Sequence, residues 1–330
     1  MSPRRPLPWL LAIAIAAAAC STPGGSATPS GSATPSSSTA LCGTAPDPTP
    51  STAWGPPTAT PALLPLLVSD AITCGKARLL FLFVDSANVD QSAPNRSATI
   101  AFYNLGRDPN KPVVTAQGAF VWTIQDQRGM YIANVDLPEA GTWGAEVTTE
   151  APGSARETSR STFSVLDTAT AIGIGQKAPA SKTPTVTDVG GDLTKVSTDP
   201  KPDPAFYQTS VADAIAAKKP FIVIFATPKF CTSAQCGPTL DHFKPIAAAH
   251  PEITFINVEP YKLEYKNGGL QAVLDANNHL IATDTSNAWG LLAEPWMFAV
   301  DRNGIVRGSY LLTMSDAEVN EIIPVISAGS

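Results

Sequence analysis

The hydrophobic residues of the chain follow two different patterns. Between residues 76 and 166 they form short runs of strand length, separated by polar turns; the runs cover 79–84, 99–103, 119–124, 130–135, 143–147 and 162–166. From Trp143 to Thr148 apolar and polar residues alternate, which is typical of a strand with one buried and one solvated face. No helical period interrupts these runs. The pattern predicts an all-β domain over residues 71–167, followed by a linker or entry segment over 168–202.

The second pattern begins with the unbroken apolar run Phe221 to Phe225, which is typical of a central strand buried on both faces. A helical spacing of apolar residues follows, at Leu240, Phe243 and Ala247. Further strand-length runs are 253–258, 296–300 and 305–310. Residues 203–330 therefore form a second domain, in agreement with a chain length of 330 residues.

The N-terminal segment has the pattern of a secretion signal. Arg4 and Arg5 precede an apolar run over residues 9–19. As a helix this run would span about 16 Å, roughly half of a hydrocarbon core, so it is too short for a permanent membrane anchor. The sequence predicts a signal peptide over 1–19 and an extracytoplasmic protein.

The end of this signal resembles the lipobox of bacterial lipoproteins. Ala17, Ala18 and Ala19 directly precede Cys20, the position at which that family attaches lipid, although the family usually has Leu where this chain has Ala17. The resemblance implies that Cys20 is lipidated and anchors the protein to the cell membrane. Ordinary signal cleavage nearby is the alternative. Residues 20–70 are mostly Ser, Thr, Pro, Gly and Ala, which predicts a disordered tether.

Charge argues against nucleic acid as a partner. The chain has 22 Lys and Arg against 28 Asp and Glu, a net charge of −6, and no basic run. Proteins that bind the phosphate backbone need clustered positive charge. Nucleic-acid binding is therefore excluded.

The five cysteines divide into three roles. With Cys20 lipidated, four remain to form pairs in an oxidising compartment. Cys42 and Cys74 flank the entry to the β domain, and we predict a structural disulfide between them, with free thiols as the alternative. Cys231 and Cys236 are different because they lie close together after a buried strand.

That strand and the cysteines after it resemble the thioredoxin family. The resemblance continues through the run 253–258, Glu294-Pro295 before Trp296 to Val300, a turn at Asp301 to Gly304 and a helix with a capping box that opens at Ser315. It implies an α/β thioredoxin-like domain over 203–330, with Pro295 at the position of the cis-proline of that family. The stretch Tyr131 to Val147, with its Gly-Thr-Trp turn, resembles small extracytoplasmic immunoglobulin-like (Ig-like) domains. The implied fold class is an all-β Ig-like sandwich followed by an α/β thioredoxin-like domain.

The function implied by the thioredoxin resemblance is thiol–disulfide exchange with exported proteins that contain thiols or disulfides. Cys231 would be the nucleophile, because N–H groups at a helix start favour the thiolate, and Cys236 would resolve the mixed disulfide. Pro295 and Glu294 would bind substrate, and no cofactor or metal is expected. A second alignment places Cys236-Gly237-Pro238 on the family motif and makes Cys236 the nucleophile.

Two departures from the family bear on this expectation. The cysteines are five positions apart, and in an α-helix their Cα atoms would lie about 8.6 Å apart, beyond disulfide reach. Either Cys231 precedes the first helical turn or the pair cannot close without unwinding that turn. Ile224 stands where the family has a buried Asp, so proton transfer must use water or another group.

Two other functions remain open at this stage. A redox-inactive interaction lipoprotein would use both domains as docking surfaces. A copper-handling chaperone would need a histidine facing two thiols, for which His279 is the candidate, although the cysteine spacing is wrong for that class.

Glu294 has two interpretations. A carboxylate beside the active sulfur would disfavour the thiolate by charge repulsion. Alternatively, Glu294 points to solvent and pairs with a surface Lys or Arg.

Overall fold

The computed structural model describes residues 40–49, 54–55 and 60–328. The predicted signal peptide and the predicted lipidation site Cys20 lie outside the described residues.

The first half of the described chain is a β-sandwich. Its two antiparallel sheets have the strand orders β1-β2-β6-β5 and β4-β3-β7-β8. Both inner faces contribute to one core, in which Phe83, Tyr131 and Trp143 are fully buried. The strands are β1 (Leu63–Leu67), β2 (Gly75–Asp85), β3 (Ser97–Asn104), β4 (Val114–Gln117), β5 (Ala119–Ile124), β6 (Arg128–Leu137), β7 (Gly141–Glu150) and β8 (Glu157–Val165).

Strand β1 lies within the range 20–70 assigned to the tether. It pairs with β2 from Leu63 opposite Asp85 to Leu67 opposite Phe81. Pro65 stands in its middle. Proline has no backbone N–H, and an edge strand such as β1 tolerates it because only one of its sides has a neighbouring strand to bond with.

A disulfide joins Cys42 to Cys74, as the sequence predicts, with the two Cα atoms 6.4 Å apart. Cys74 is buried at the start of the sandwich core. Backbone hydrogen bonds from Leu41 to Asp167 and from Ala45 to Ala140 hold the neighbouring segment against the same domain. The crosslink therefore fixes the entry of the chain to the sandwich.

We expect removal of this crosslink by Cys42→Ala/Cys74→Ala to lower the free energy of unfolding by about 3–4 kcal/mol, because the 32-residue separation restricts the unfolded chain. Urea unfolding of the variant and the wild type under oxidising conditions measures this difference. Both proteins under reducing conditions provide the control, since the difference should then largely vanish. Equal midpoints under oxidising conditions would contradict the prediction.

The C-terminal region, residues 168–328, is built on a mixed four-stranded sheet of order β10-β9-β13-β14. Strands β9 and β10 are parallel, and the other two pairings are antiparallel. Every residue of β9 and β13 is buried, so the sheet has a hydrophobic core on each face. The elements are α1 (Val211–Ala216), β9 (Phe221–Phe225), α2 (Cys236–Ala249), β10 (Thr254–Val258), β11 (Leu263–Lys266), β12 (Gly269–Ala272), α3 (Asp284–Trp289), β13 (Trp296–Val300), β14 (Val306–Leu311) and α4 (Asp316–Ala328).

The predicted fold class, with an α/β thioredoxin-like domain over 203–330, is wrong. The secondary structure of the described residues is mostly β, with 14 strands in four sheets against four α-helices. An α/β domain alternates strands with helices of several turns, whereas α1 and α3 here have six residues each. Only α2 forms a full helical crossover between parallel strands.

The segment after β10 is one place where the structure departs from the predicted α/β fold class. Residues 263–272 form the two-stranded sheet β11-β12, closed by Asn267 and Gly268 with φ of 53° and 81°. Asn-Gly is the strongest short-range hairpin signal because both residues tolerate positive φ. Between β10 and β13 the chain therefore forms this hairpin and the six-residue helix α3, where an α/β domain has a helix of several turns.

The longest described helices, α2 and α4, have 14 and 13 residues. No described helix is long and apolar enough to cross a membrane.

The sandwich and the C-terminal region pack directly on each other. Leu80 and Ile132 of the sandwich form a small buried cluster with Leu312, which follows β14. Arg78 on β2 donates hydrogen bonds to Glu318 of α4 and to the backbone oxygen of Thr313. Apolar and charged contacts thus fix the sandwich beside the start of α2 and α4.

Candidate functional site

Cys231 and Cys236 form a disulfide at the start of α2, with Cα atoms 6.0 Å apart. Cys231 lies in the loop after β9, and Cys236 is the first residue of the helix. Ala234 between them has φ of 58°, and this left-handed turn folds the loop back toward the helix. The pair therefore closes because Cys231 precedes the first helical turn, the first of the two arrangements considered from the sequence.

The two sulfurs have different surroundings. Cys231 is partly exposed, whereas Cys236 is fully buried in the core below the sheet. The backbone N–H of Cys236 donates to Sγ of Cys231 at 3.1 Å, and the hydroxyl of Ser233 lies 3.4 Å from the same sulfur. One sulfur is thus within reach of a partner molecule and the other is not.

Glu294 lies beside this disulfide. Its residue is only 2% exposed, and a carboxylate oxygen lies within 4.8 Å of both sulfurs. Oε1 accepts hydrogen bonds from the N–H of Thr232 at 3.0 Å and from its hydroxyl at 2.9 Å, while Oε2 accepts one from the hydroxyl of Tyr261. Glu294 therefore faces the sulfurs and does not point to solvent.

Tyr261 keeps its proton under all ordinary conditions. Burial raises the pKa of the Tyr261 phenol well above its usual range, and the hydrogen bond to Glu294 and the charge of that carboxylate raise it further. The phenol is therefore a fixed donor that orients the carboxylate of Glu294.

Pro295 follows Glu294 through a cis peptide bond and is buried. Its carbonyl oxygen accepts a hydrogen bond from Leu312 N at 2.8 Å, and the carbonyl oxygen of Glu294 accepts one from Ser233 Oγ at 3.0 Å. Both carbonyls are thus already hydrogen-bonded within the chain. Glu294 and Pro295, the pair expected to bind substrate, are buried and lie beside Cys231.

The structure does not bring His279 to the cysteines. Its side chain is 75% exposed and lies 3.5 Å from Asp275. Among the described residues, the cluster of potential metal-ligating side chains consists of Cys231, Cys236 and Glu294, with no histidine.

Three residues of the site were missed from the sequence. Thr232 and Tyr261 hold Glu294, and Gln235, which is buried, donates through Nε2 to the backbone oxygen of Thr123 in β5 at 2.5 Å. Gln235 directly precedes Cys236, so the sandwich contacts the site itself. The signal for Thr232 and Gln235 was their position between the cysteines, while nothing in the sequence marks Tyr261.

Glu259, next to the end of β10, has a carboxyl oxygen that is buried although the residue is partly exposed. Its Oε1 accepts a hydrogen bond from Thr198 N at 2.6 Å, while Oε2 is buried without a partner. Burial raises the pKa of Glu259 to about 7, although hydrogen bonds from Thr227 and Thr198 act in the opposite direction.

A raised folded-state pKa means that this group stabilises the fold at low pH and that the contribution is lost as pH rises through about 7. The free energy of unfolding of Glu259→Gln minus that of the wild type should rise by about 2–3 kcal/mol when the pH is raised from 5 to 8. Urea unfolding of both proteins at the two pH values measures this change. Any packing cost of the amide cancels in this comparison. Glu264→Gln, at an exposed position, is the matched control, and a difference between variant and wild type that does not change with pH would contradict the prediction.

No protein-family model and no curated protein matches this chain. Among solved structures, the chain is similar to a DUF4426 family protein from Pseudomonas aeruginosa PAO1, over 29% of this chain and 77% of that one. The sequence identity is 9% and the TM-score is 0.22. At this level the similarity carries no argument about fold or function.

Proposed function

We propose that this protein is an extracytoplasmic, membrane-anchored thiol–disulfide oxidoreductase that acts on exported proteins through Cys231 and Cys236. The observation that carries the proposal is the pairing of one accessible and one buried cysteine at the start of a helix. Exchange catalysis needs this asymmetry, because one sulfur must meet the substrate while the other attacks only after the first has reacted.

Cys231 is the attacking sulfur in this proposal. It is the partly exposed member, and the N–H of Cys236 at 3.1 Å together with the positive end of α2 favours a negative charge on it. Cys236 is fully buried and cannot meet a substrate disulfide. These contacts support the first of the two alignments considered from the sequence.

The exchange proceeds in two steps. The Cys231 thiolate attacks one sulfur of a substrate disulfide, so a bond between Cys231 and the substrate forms, the substrate disulfide breaks, and the departing sulfur takes a proton. Cys236 then loses its proton and attacks Cys231, which releases the second substrate thiol and restores the Cys231–Cys236 disulfide. The protein dithiol is oxidised and the substrate disulfide is reduced; with an oxidised protein the same steps run in reverse.

The proposed location rests on the N-terminal pattern and on the second disulfide. Cys42 and Cys74 are bonded in the sandwich, and stable structural disulfides are typical of oxidising compartments. Anchoring through Cys20 would keep the exchange site at the membrane surface.

The test is capture of a mixed disulfide with a peptide that contains one disulfide. Reduced Cys236→Ser should accumulate a covalent complex through Cys231, because the resolving sulfur is missing. Reduced Cys231→Ser is the matched control and should form at least tenfold less complex, since its remaining sulfur is buried. Non-reducing electrophoresis followed by mass spectrometry of the linked peptide gives the measurement.

Two outcomes would contradict the proposal. A complex formed by Cys231→Ser and not by Cys236→Ser would reverse the roles of the two cysteines. A wild-type protein that neither exchanges with the peptide nor equilibrates with glutathione would favour the redox-inactive interaction lipoprotein.

A further inference from the structure

Reduction of the Cys231–Cys236 disulfide changes the charge balance of the site. It creates two ionisable thiols within a few ångströms of the Glu294 carboxylate, which is 2% exposed. The hydrogen bonds to that carboxylate come from neutral donors, the Thr232 N–H and hydroxyl and the Tyr261 phenol. Three acidic groups then share a small, largely desolvated volume, an arrangement that a bound cation stabilises.

We propose that the reduced protein binds one zinc ion through Sγ of Cys231, Sγ of Cys236 and the carboxylate of Glu294. The proposal goes beyond thiol–disulfide exchange and requires only that the disulfide can be reduced. Zinc takes thiolate and carboxylate ligands in a tetrahedral arrangement, and three protein ligands leave a fourth position for water or another molecule.

The distances suit such a site. Tetrahedral zinc with these bond lengths places its ligand atoms about 3.5–3.8 Å apart. The two sulfurs and the carboxylate oxygen already lie within 4.8 Å of one another. Opening of the disulfide moves the sulfurs apart into this range, while the Cα atoms at 6.0 Å stay in place.

The carboxylate is held in position by its neighbours. Two hydrogen bonds reach Oε1 from Thr232 and one reaches Oε2 from Tyr261, so Oε2 keeps a lone pair for a metal. Hydrogen bonds of this kind orient metal ligands and raise affinity, and their loss typically costs 10–100-fold. Thr232 and Tyr261 are therefore positioning residues in this proposal.

The donor set favours zinc over other metals. Magnesium and calcium prefer oxygen ligands alone, and monovalent copper prefers soft sulfur ligands without a carboxylate. A mixed set of two sulfurs and one oxygen suits zinc, which binds all these ligand types.

The oxidised protein cannot form this site, because disulfide sulfurs carry no charge and are poor ligands. Reduction of the Cys231–Cys236 disulfide by a dithiol oxidises that dithiol to a disulfide and leaves two thiols at the site. Zinc binding then releases both thiol protons to solvent. Metal binding and disulfide formation are therefore mutually exclusive.

The experiment uses the full chain, reduced with a phosphine, freed of reductant without oxygen, and titrated with zinc against a chromophoric chelator. We expect one zinc per reduced wild-type chain and none per oxidised chain, whereas reduced Cys231→Ser, which keeps the thiols of Cys42 and Cys74, should bind zinc at least tenfold more weakly. Glu294→Gln should weaken binding at least tenfold and Tyr261→Phe about tenfold. Glu264→Gln and Tyr265→Phe, on the neighbouring hairpin, are the matched controls and should bind as the wild type does.

Several outcomes would overturn the proposal. The first is that the oxidised and reduced wild type bind zinc equally. The second is that Glu294→Gln and Glu264→Gln lose zinc affinity to the same extent. The third is that the reduced protein binds monovalent copper but does not bind zinc. The comparison of the two redox states of the wild type does not depend on how the variants fold. The peptide-capture experiment, carried out with a chelator present, reports on exchange separately, so failure of one proposal is distinguishable from failure of the other.

Discussion

Replacement of Arg78 with methionine is expected to lower the free energy of unfolding by about 3–5 kcal/mol, because it leaves a buried carboxylate without its charge partner. Arg78 Nε lies 2.5 Å from Glu318 Oε1, and both side chains are less than 15% exposed. The guanidinium also donates to the backbone oxygens of Leu311 and Thr313. One side chain from the sandwich thus satisfies several acceptors of the C-terminal region.

Urea unfolding of Arg78→Met against the wild type measures this effect. The matched control is Arg107→Met, because Arg107 pairs with Glu139 on the surface of the sandwich and its side chain is 55% exposed. Such a surface pair contributes at most about 1 kcal/mol. Equal losses in the two variants would show that the burial of the Arg78 pair has no energetic consequence.

The same pair predicts a pH dependence. Burial raises the pKa of Glu318, but the hydrogen bonds and charge of Arg78 and hydrogen bonds from Ser315 outweigh it, so the pKa lies below its usual range. A lowered folded-state pKa means that the pair stabilises the fold fully above the ordinary glutamate range and that this stability is lost as pH falls through the folded value. The difference between wild type and Arg78→Met should therefore shrink in acid.

Local signals in the sequence predicted most of the strands correctly. The six apolar runs of the sandwich lie in or largely overlap β2, β3, β5, β6, β7 and β8. The predicted capping box of α4 is present, since Ser315 N donates to Glu318 Oε2 and Glu318 N donates to Ser315 Oγ. These features depend on residues close together in the chain.

The missed elements depend on context. Strand β1 has Pro65 at its centre, which argues against a strand unless the strand lies at a sheet edge. Strands β11 and β12 are short and mostly exposed, so hydrophobic periodicity does not mark them, and the Asn267-Gly268 turn was the available signal. No strand was predicted in this segment, so the β content of the C-terminal region was underestimated.

Only part of the candidate site was predicted, because some of its residues are marked by local sequence and others meet only in the folded chain. Cys231 and Cys236 are recognisable from spacing, and Glu294 from its place before Pro295. Tyr261 is 33 residues from Glu294 in the chain and meets it only because β10 and β13 both flank β9. Contacts of this kind require the sheet order, which periodicity does not supply.

Replacement of Glu294 with glutamine is expected to make Cys231 react faster as a thiolate. In the reduced protein a carboxylate oxygen within 4.8 Å of the sulfur disfavours a second negative charge. At this distance the repulsion is about 1–3 kcal/mol, depending on how far solvent screens it, which corresponds to about one to two pH units. The N–H of Cys236 acts in the opposite direction in both proteins, so the comparison isolates the carboxylate.

The measurement is the alkylation rate of Cys231 against pH in Cys236→Ser and in Cys236→Ser/Glu294→Gln, with a chelator present so that no metal masks the sulfur. We expect the midpoint of the rate curve to fall by about one pH unit or more in the glutamine variant, and the alkylation rate near neutral pH to rise about tenfold. Glutamine keeps an oxygen for Thr232 and a similar volume, so the loop that holds Cys231 is preserved.

Glu264→Gln in the same background is the control and should leave the curve unchanged. Superimposable curves for the Glu294 variant and its parent would mean that the carboxylate does not act on the sulfur. The sign of the shift bears on the proposed exchange, because a carboxylate that destabilises the thiolate also destabilises the reduced protein and would make the wild-type couple the stronger reductant.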